Sequence, residues 1–465
     1  MALSGSAVQI ILLILSLSIL VVLHELGHFI PAKLFGTRVS RFYLFFDFLF
    51  PFSKVLNFSL FKKKIGDTEY GIGWFPFGGY VQIAGMIDET QSEEDLDAVP
   101  PAEQFRFKPA WQRLIVMIGG VTVNMILAMV IYSGLLWAYG QEYLPMKNAT
   151  SGIIVADSLG FELGLQNGDK IIALDGKPLE NFEDFERNLI LDEAKTVTIE
   201  RNGMKQNLSV QPGFVTKMIK LKKPDLIAPR VPSVIGSLGS SKDGYPAEKA
   251  GLKVGDKIVA INDTPVQYFD ELADNMQKYK NQTIRLSIDR NGQMISQAIT
   301  PNKEGKIGVG LYEAKDGKNV DWSKYFKTEK IEYNFLAAIP AGIKMSFQTL
   351  GKYFKGIKMI FTSKEVKAKD SLGGFYSMGR IFPKTFDWQS FWSITAMISV
   401  ILAFMNILPI PMLDGGYVLF ILIEMIIGKP VNEKIQNYAQ MAGMAFILLL
   451  LVYANGLDVF RAFSK

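Results

Sequence analysis

The sequence predicts an α-helical integral membrane protein with four transmembrane helices, a membrane-associated β-hairpin and two tandem α+β domains inserted between helices two and three. Four long apolar stretches and one internally repeated segment lead to this prediction. The composition agrees, because 49% of the 465 residues are hydrophobic and 20% are charged, with a mean hydropathy of +0.18. Such a chain is apolar for a soluble protein but too polar for membrane helices alone.

Charge and cysteine usage exclude several classes of function. The net charge is +5, and no basic run interleaved with aromatic residues suggests nucleic-acid binding. We therefore expect a lipid bilayer and no nucleic acid as partner. The sequence has no cysteine, which excludes disulfides, a cysteine nucleophile and a thiolate metal site.

Residues 1–35 are predicted as the first transmembrane helix. Residues 2–23 carry no charge, and about 20 apolar residues are enough to span a bilayer. A cleaved signal peptide is the alternative, but no basic segment precedes the run and cleavage would remove His24. Lys33, Arg38 and Arg41 follow the helix, so the positive-inside rule predicts that this end is cytoplasmic and the N-terminus outside.

At the end of the uncharged run this helix carries His24-Glu25-Leu26-Gly27-His28, which contains the only two histidines of the chain. Residues i and i+4 share one helix face, so both imidazoles can bind one metal ion. Glu25 stands where the H-E-x-x-H pattern has the base that activates a metal-bound water. Two unrelated histidines are the alternative, which this spacing makes improbable. The motif predicts one Zn²⁺ per chain, inside the bilayer or at its edge.

Residues 36–111 are predicted as a cytoplasmic-side region with a re-entrant β-hairpin at about 69–86. Aromatic and β-branched residues there flank a Pro/Gly break, and the exposed strand edge could pair with an extended substrate. A small structural hairpin is the alternative. The basic cluster Lys62, Lys63 and Lys64 is interpreted as an ordinary solvated turn.

Three further membrane helices are predicted at 112–140, 389–411 and 436–458, with an amphipathic helix at 328–365 that leads back to the bilayer. Asn124 is a polar residue inside the second helix, where it could bond to another helix or to its own backbone.

Residues 145–215 and 233–312 form an internal repeat, joined by a proline-containing linker at 216–232. Each copy has a Gly-Leu turn, a Gly-Asp turn, an alternating strand, a helical stretch and a strand that ends in Arg-Asn-Gly. The copies resemble bacterial PDZ domains, which bind extended peptides or C-termini at a strand edge. A role as spacer or size filter is the alternative.

A catalytic zinc needs a third protein ligand, for which Asp414, Asp47 and Glu424 are candidates. Asp414 is favoured because it combines membrane depth with a backbone broken by prolines and glycines at 409–416. The alternative is that Asp414 is only a turn residue in Leu-Asp-Gly-Gly.

The set of motifs resembles the site-2 protease family of intramembrane zinc metalloproteases, and within it the regulator-of-sigma-E protease (RseP) type of Gram-negative bacteria, which has two tandem PDZ domains. The resemblance covers nearly the whole chain. It is carried by His24-Glu25-Leu26-Gly27-His28, by Phe77-Gly78-Gly79-Tyr80-Val81, by Lys108-Pro109-Ala110-Trp111-Gln112-Arg113, and by the segment from Asn406 to Gly416.

The resemblance implies that His24, His28 and Asp414 bind zinc, that Glu25 is the general base and that Asn406 contacts the substrate backbone. It also implies that the β-hairpin holds the substrate as an added strand, for which the candidate residues are Gly78, Gly79, Tyr80, Val81, Gln82 and Ile83. The implied substrates are single-span membrane proteins, such as an anti-sigma factor or remnant signal peptides, cut in regulated intramembrane proteolysis during a stress response. The implied location is the bacterial inner membrane, with periplasmic PDZ domains and an active site near the cytoplasmic side.

The chain departs from the family pattern at Gly119-Gly120-Val121 and at Gly373-Gly374-Phe375, where Gly-Pro is common, and residues 47–61 look like an aromatic insertion. Two other functions stay open. One is a catalytically silent membrane PDZ scaffold with a structural zinc. The other is a membrane-anchored zinc protease that cuts in water and takes its third ligand from a soluble segment.

Overall fold

The computed structural model describes residues 4–49, 55–76, 78–86, 99–221, 225–239, 245–312 and 320–463. The chain divides into two compact units. Unit 1 comprises Met1–Gly140, Glu332–Ile357 and Leu372–Lys465, and unit 2 comprises Gln141–Ile331 and Lys358–Ser371.

The α-helices are α1 (Gly5–Leu34), α2 (Ala110–Tyr139), α3 (Ser158–Glu162), α4 (Phe185–Leu191), α5 (Phe214–Leu221), α6 (Pro246–Lys249), α7 (Phe269–Lys278), α8 (Phe335–Thr362), α9 (Ala368–Ser371), α10 (Phe375–Gly379), α11 (Trp388–Ile407), α12 (Asp414–Ile427) and α13 (Glu433–Phe463). Short 3₁₀ helices lie at Pro101–Glu103, Phe105–Phe107, Met146–Asn148, Phe182–Asp184 and Trp322–Lys324.

The strands are β1 (Val39–Leu44), β2 (Ser59–Ile65), β3 (Thr68–Gly73), β4 (Tyr80–Ile83), β5 (Gln141–Tyr143), β6 (Ile153–Val155), β7 (Lys170–Leu174), β8 (Lys177–Pro178), β9 (Thr196–Arg201), β10 (Met204–Ser209), β11 (Ile227–Pro229), β12 (Ser237–Leu238), β13 (Lys257–Ile261), β14 (Thr264–Pro265), β15 (Ile284–Arg290), β16 (Gln293–Ile299), β17 (Val309–Gly310) and β18 (Glu329–Ile331).

Within the described residues, four helices of unit 1 are long and apolar enough to cross a membrane: α1, α2, α11 and α13. The prediction of four membrane helices is confirmed. Buried hydroxyl groups join three of them, since Thr395 of α11 donates to the Ser16 hydroxyl of α1 at 3.0 Å and Ser399 donates to the Asn124 carbonyl of α2 at 2.7 Å. Such interhelical hydrogen bonds satisfy polar groups that lipid cannot. Helix α8 lies within the predicted 328–365 but begins later, because residues 329–331 form β18 against β5.

The predicted hairpin at 69–86 is wrong in its pairing. The sheet of unit 1 has the order β2-β3-β1-β4, so β1 lies between β3 and β4, parallel to the former and antiparallel to the latter. Strands β3 and β4 are therefore separated by β1 and do not pair with each other as a hairpin. The true hairpin is β2–β3, whose turn includes Gly66 at φ 62°. Phe77 of the predicted hairpin lies outside the described residues.

The two repeats of unit 2 share one buried ion pair that explains their common sequence. In the first, Arg201 binds Asp169 at 2.7 Å and the Gly164 carbonyl at 2.8 Å. In the second, Arg290 binds Asp256 at 2.7 Å and the Gly251 carbonyl at 2.9 Å. The Gly-Asp turn and the Arg-Asn-Gly strand end are thus two halves of one contact, repeated in both copies.

The predicted linker at 216–232 is largely part of the first repeat. Met218 of α5 and Leu226 are fully buried in its hydrophobic core, and β11 pairs with β6. Prolines suggested a linker, but Pro229 is at the end of a strand in a two-stranded ladder, where a missing N–H is tolerated. Lys222, Lys223 and Pro224 lie outside the described residues.

Arg230 ties the two repeats together at this point. Its guanidinium binds Asp270 at 3.0 Å and Glu271 at 2.8 Å, and it lies 4.0 Å over the ring of Tyr268. Phe269 packs against the cores of both repeats. Charged and aromatic contacts therefore hold the two repeats together at the end of the segment that the sequence predicted to be a linker.

Glu186 is a half-buried carboxylate of the first repeat. It lies on α4 and accepts a hydrogen bond from the Ile227 N–H of β11 at 3.3 Å. Burial raises the pKa of Glu186 to about 7, a shift that the hydrogen bonds from the backbone oppose only in part and that the nearby Asp225 charge increases. The folded state therefore binds this proton more tightly than the unfolded chain does.

Replacing Glu186 should change how stability depends on pH. Because the pKa of Glu186 is higher in the folded state than in the unfolded chain, its protonation contributes about 2–3 kcal/mol to the free energy of unfolding at low pH. This contribution is complete below about pH 4.5 and is lost as the pH rises through about 7. Glu186→Gln should remove this loss and raise the unfolding temperature above pH 7. Intrinsic tryptophan fluorescence during thermal unfolding, at a series of pH values, measures the difference between variant and wild type.

Glu180→Gln is the matched control, since Glu180 is exposed in the same repeat. A Glu186→Gln protein whose stability difference from wild type does not vary with pH would contradict the assignment.

Candidate metal centre and active site

Three potential ligand atoms converge at the end of α1. His24 Nε2 and His28 Nε2 lie 3.3 Å apart, and the Asp414 Oδ2 atom lies 3.2 Å from the first and 3.4 Å from the second. Their side chains are largely buried, with exposed fractions of 13%, 6% and 18%. Among the described residues this is the group of histidines and carboxylates that could hold a metal ion.

The triangle formed by His24 Nε2, His28 Nε2 and Asp414 Oδ2 has the size that a tetrahedral zinc site requires. Ligand atoms placed tetrahedrally 2.0–2.1 Å from zinc are about 3.3 Å from one another. The Asp414 Oδ2 atom is buried and has no hydrogen-bond donor, which is costly unless a cation occupies the centre of the triangle. Two imidazoles and one carboxylate form a donor set that suits catalytic zinc and leaves a fourth position open. The residues present therefore fit the ion.

The other nitrogen of each imidazole faces helix α2. His28 Nδ1 lies 2.8 Å from the Val116 carbonyl, to which it can donate only as the Nδ1–H tautomer. His24 Nδ1 lies 3.2 Å from the Asn124 carboxamide, whose Oδ1 is buried without a partner. Reversing that carboxamide exchanges two atoms of similar size and would give the His24 N–H its acceptor. Both Nε2 lone pairs then point at the triangle, as metal-binding histidines need.

Helix α2 meets α1 at backbone distance. A Cβ on Gly119 would lie 1.9 Å from the Gly27 carbonyl oxygen, and one on Gly120 would lie 2.4 Å from His28 Nε2. Val116, Gly120 and Asn124 are four residues apart and share one face of α2. That face supplies the acceptor for His28, the space for both rings and the partner of His24.

A sharp turn brings Asp414 to the histidines. Residues 408–413 connect α11 to α12, and Met412 adopts φ 86° in this turn. Gly415 fits closely under it, since a Cβ there would lie 2.1 Å from the Leu408 carbonyl oxygen. Asp414 is thus the first residue of α12 as well as a neighbour of both imidazoles, so the turn is the means by which the carboxylate reaches the triangle.

The rival third-ligand candidates have other partners. Glu424 of α12 forms an ion pair with Arg113 of α2. Asp47 accepts a hydrogen bond from the Tyr80 hydroxyl at 3.0 Å. Glu424 therefore ties α12 to α2, while Asp47 holds the start of β4, together with Tyr43, whose ring stacks on Tyr80 at 5.3 Å.

Strand β4 reaches the site through Glu25. The Val81 backbone N–H donates a hydrogen bond to the Glu25 carboxylate. The two glycines before β4 permit this approach, because a Cβ on Gly79 would lie 2.8 Å from a Val21 methyl of α1 and one on Gly78 would lie 2.6 Å from the Phe46 ring. Gln82 and Ile83 follow on the same terminal strand and are buried. Asn406 of α11 completes the site, with its carboxamide nitrogen 3.2 Å from His24 Nε2.

Sequence reasoning did not identify several of these residues. Gly119 and Gly120 were noted only as a departure from a family pattern, although two small residues inside an apolar helix are a signal for close helix packing. Asn124 was left between two interpretations, and its side chain lies at His24. Val116 acts through its backbone carbonyl, for which no sequence signal exists.

Gly120→Ala should weaken metal binding by about tenfold or more, because the added methyl group would occupy the space of the imidazoles. Gly134→Ala is the matched control in the same helix, since a Cβ at Gly134 has open space within 4 Å. The measurement is zinc content, by atomic spectroscopy, after dialysis against graded chelator. Equal retention of zinc by the two variants would refute this account of the site.

Comparisons with known proteins agree with this geometry. The sequence model of peptidase family M50 matches residues 12–450. The chain is 28% identical to the regulator of sigma-E protease RseP of Escherichia coli K12, over 97% of each protein. It is 28% identical to the regulator of sigma E protease of Haemophilus influenzae, over 96% of this chain and 98% of that one. A Neisseria meningitidis protein provisionally named a zinc metalloprotease is 29% identical, over 96% and 98%.

The family match over nearly the whole length, the metal-sized triangle of side chains and the four membrane-length helices lead to one conclusion: this multi-pass membrane protein belongs to peptidase family M50 and is a zinc metalloprotease.

Proposed function

We propose that the protein is an intramembrane zinc endopeptidase that hydrolyses peptide bonds in or near the transmembrane segment of single-span membrane proteins, in regulated intramembrane proteolysis. The observation that carries the proposal is the position of the triangle of His24, His28 and Asp414. Two ligand atoms belong to the membrane-length helix α1, and the third belongs to the first residue after the turn that follows the membrane-length helix α11, so the site belongs to unit 1.

Each residue of the site has a role in this reaction. Zinc bound by His24, His28 and Asp414 would supply a Lewis acid that acidifies water and polarises the scissile carbonyl. Glu25 takes a proton from the attacking water on its carboxylate and passes it to the leaving nitrogen. Asn406 donates its carboxamide N–H to the substrate backbone next to His24, where negative charge develops.

Strand β4 is the proposed binding site for the substrate. A transmembrane helix hides its carbonyl groups in hydrogen bonds, so it must unwind before cleavage. β4 is the terminal strand of its sheet, and pairing along it would replace part of the helical hydrogen bonding. The contact of Val81 with Glu25 sets the paired segment beside the general base.

The orientation follows from charge. Lys33 lies in the last turn of α1, and Arg38 and Arg41 follow it, which favours a cytoplasmic position for that end of α1 and hence for the site. The repeats of unit 2 would then be periplasmic, and the membrane would be the bacterial inner membrane. Relatives named for regulation of sigma E support an anti-sigma factor as the type of substrate, and remnant signal peptides share the same single-span chemistry.

Two rival functions are less well supported. A silent scaffold with a structural zinc would have no need for a carboxylate at Glu25, hydrogen-bonded to a strand edge beside the metal ligands. A protease that cuts in water would take its third ligand from a soluble segment, whereas Asp414 is the first residue of α12, directly after the turn that follows the membrane-length helix α11.

Glu25→Gln should lower cleavage of a single-span substrate by about 10²–10⁴-fold, because proton transfer is lost, while zinc stays bound. Asp414→Asn should lower both zinc content and cleavage. Zinc content and substrate cleavage are both measured on purified protein in detergent. The matched control is Glu433→Gln, at an exposed position at the start of α13. Full cleavage by Glu25→Gln would favour the scaffold, and unchanged zinc and cleavage in Asp414→Asn would favour a site in water.

We further propose that the repeats are PDZ domains of which only the second binds peptide. The second repeat contains a cavity of about 420 Å³ between α7 and the β12–β17 pair, lined by Leu272, Ala273, Met276, Ile307 and Gly308. By repeat alignment, the first repeat has Glu186 in place of Ala273 and Leu226 in place of Gly308. The Glu186 carboxylate accepts a hydrogen bond from the Ile227 N–H, and Leu226 is fully buried. In the first repeat, these two side chains therefore fill the space that is a cavity in the second repeat.

Ala273→Glu should therefore weaken binding of an extended peptide with an apolar C-terminal residue by about tenfold or more, since it puts a carboxylate into the cavity. Asp274→Gln, at the exposed neighbouring position, is the control. Fluorescence anisotropy of a labelled peptide ending in valine, titrated with the full chain in detergent, provides the measurement. Identical affinities for Ala273→Glu and wild type would favour the size-filter role.

A further inference from the structure

Strand β2 exposes an unusual combination of side chains at the far edge of the unit 1 sheet. All residues from 60 to 65 are exposed, including Leu60 at 66%, Phe61 at 58% and Ile65 at 58%. Lys62, Lys63 and Lys64 lie between them. Exposed large apolar residues in such a run mark a contact surface, and the lysines indicate the charge of what it contacts.

One face of this strand continues the apolar surface of a membrane helix. Phe61 lies opposite Ile72 of β3, and Lys63 lies opposite Tyr70, so all four share one face of the sheet. Tyr70 and its neighbour Phe42 on β1 make edge contacts with Phe29 of α1, at ring distances of 6.1 and 5.3 Å.

Helix α1 carries this surface onward into the bilayer. Ile30 and Leu34, beside Phe29, are 51% and 78% exposed on a helix that is long and apolar enough to span. The apolar side chains on this face of β2 and β3 thus continue the exposed apolar surface of a helix that is long enough to span a membrane.

The backbone of β2 limits how deep the strand can lie. β2 is a terminal strand of its sheet, so one edge of its N–H and C=O groups has no strand partner there. Such an edge is not tolerated in hydrocarbon, where unpaired peptide groups find no water. The strand therefore belongs at the level of the lipid headgroups, with Phe61 and Ile65 reaching toward the acyl chains.

The three lysines are available to a ligand. Among the described residues none of them forms an ion pair. Glu69, directly opposite Lys64, is instead engaged by the Tyr43 hydroxyl at 2.7 Å and lies 3.9 Å from Arg41. Lys62 and Lys64 lie on one face and Lys63 on the other, and their long aliphatic stems allow all three ammonium groups to reach the same layer of phosphates.

We propose that β2 is a docking surface for anionic phospholipid headgroups, bound through Lys62, Lys63 and Lys64 while Phe61 and Ile65 enter the acyl region. The surface anchors one edge of the sheet to the bilayer. The other edge, β4, contacts Glu25, so the anchor fixes the depth of the general base and its strand relative to the lipid. Lipid docking itself does not depend on proteolysis, and its test does not use activity.

The experiment uses the absence of native cysteine. Single-cysteine variants Phe61→Cys and Ile65→Cys of the full chain are spin-labelled and reconstituted into vesicles of phosphatidylcholine, with or without phosphatidylglycerol. Collision of the label with oxygen, which partitions into lipid, is compared with collision with a water-soluble nickel chelate. Met204→Cys on β10, 64% exposed in unit 2, is the water-facing reference.

We expect labels at 61 and 65 to favour oxygen several-fold more than the label at 204, and phosphatidylglycerol to deepen them. In the triple variant Lys62→Gln, Lys63→Gln, Lys64→Gln, the phosphatidylglycerol effect should vanish. A variant with Lys177, Lys205 and Lys280 changed to glutamine removes equal charge from exposed sites of unit 2 and should retain the effect. Added salt should weaken it in the wild type.

Three results would overturn the proposal. Nickel accessibility at 61 and 65 equal to that at 204 would put β2 in water. Protection from both oxygen and nickel would mean that another protein strand covers the edge. A phosphatidylglycerol effect that survives in the triple variant would remove the lysines from the interaction.

Discussion

The close approach of α1 and α2 is the contact on which the rest of the site depends. Two imidazoles at i and i+4 can face one ion only if nothing on the neighbouring helix fills the space between them. Gly27 and Gly119 bring the two backbones together, and Gly120 leaves that space open. The same face of α2 then offers Val116 and Asn124 to the outer nitrogens. One packing contact therefore sets the distance, the tautomer and the direction of both histidines.

A second constraint is that the site must bring a strand edge to a membrane helix. β4 can approach α1 because Gly78 and Gly79 carry no side chain, and it is kept in place by the contact of Tyr80 with Asp47 and Tyr43. Asp47, the first residue of the aromatic segment at 47–61, is thus part of the support for β4. Glu25 and the edge of β4 are joined by one hydrogen bond, so the proposed general base and the proposed pairing strand are positioned together.

The spacing of residues along the sequence was enough to predict much of the fold and the proposed metal ligands. The H-E-x-x-H motif, the apolar spans and the repeated turns depend on neighbours in sequence, and Asp414 could be chosen because a carboxylate beside a broken membrane helix is rare. Strand pairing could not be predicted in the same way. That β1 lies between β3 and β4 depends on contacts across the sheet, and the propensities of residues 69–86 are the same for either pairing. The prolines near 229 likewise favoured a linker, because the burial of Met218 and Leu226 beside them is a tertiary property.

The two repeats share the residues that stabilise their fold and differ at the residues that line the groove. Both retain the Asp–Arg pair that closes the domain, Asp169 with Arg201 and Asp256 with Arg290. They differ where α4 or α7 faces the last strand, a position occupied by Glu186 in one and by Ala273 in the other. Because Arg230 clamps the copies together, a peptide in the second groove would be held at a fixed orientation to the first repeat. If the second repeat binds peptide as proposed, the first copy would serve as a rigid support, and one open groove would be enough to orient a bound chain.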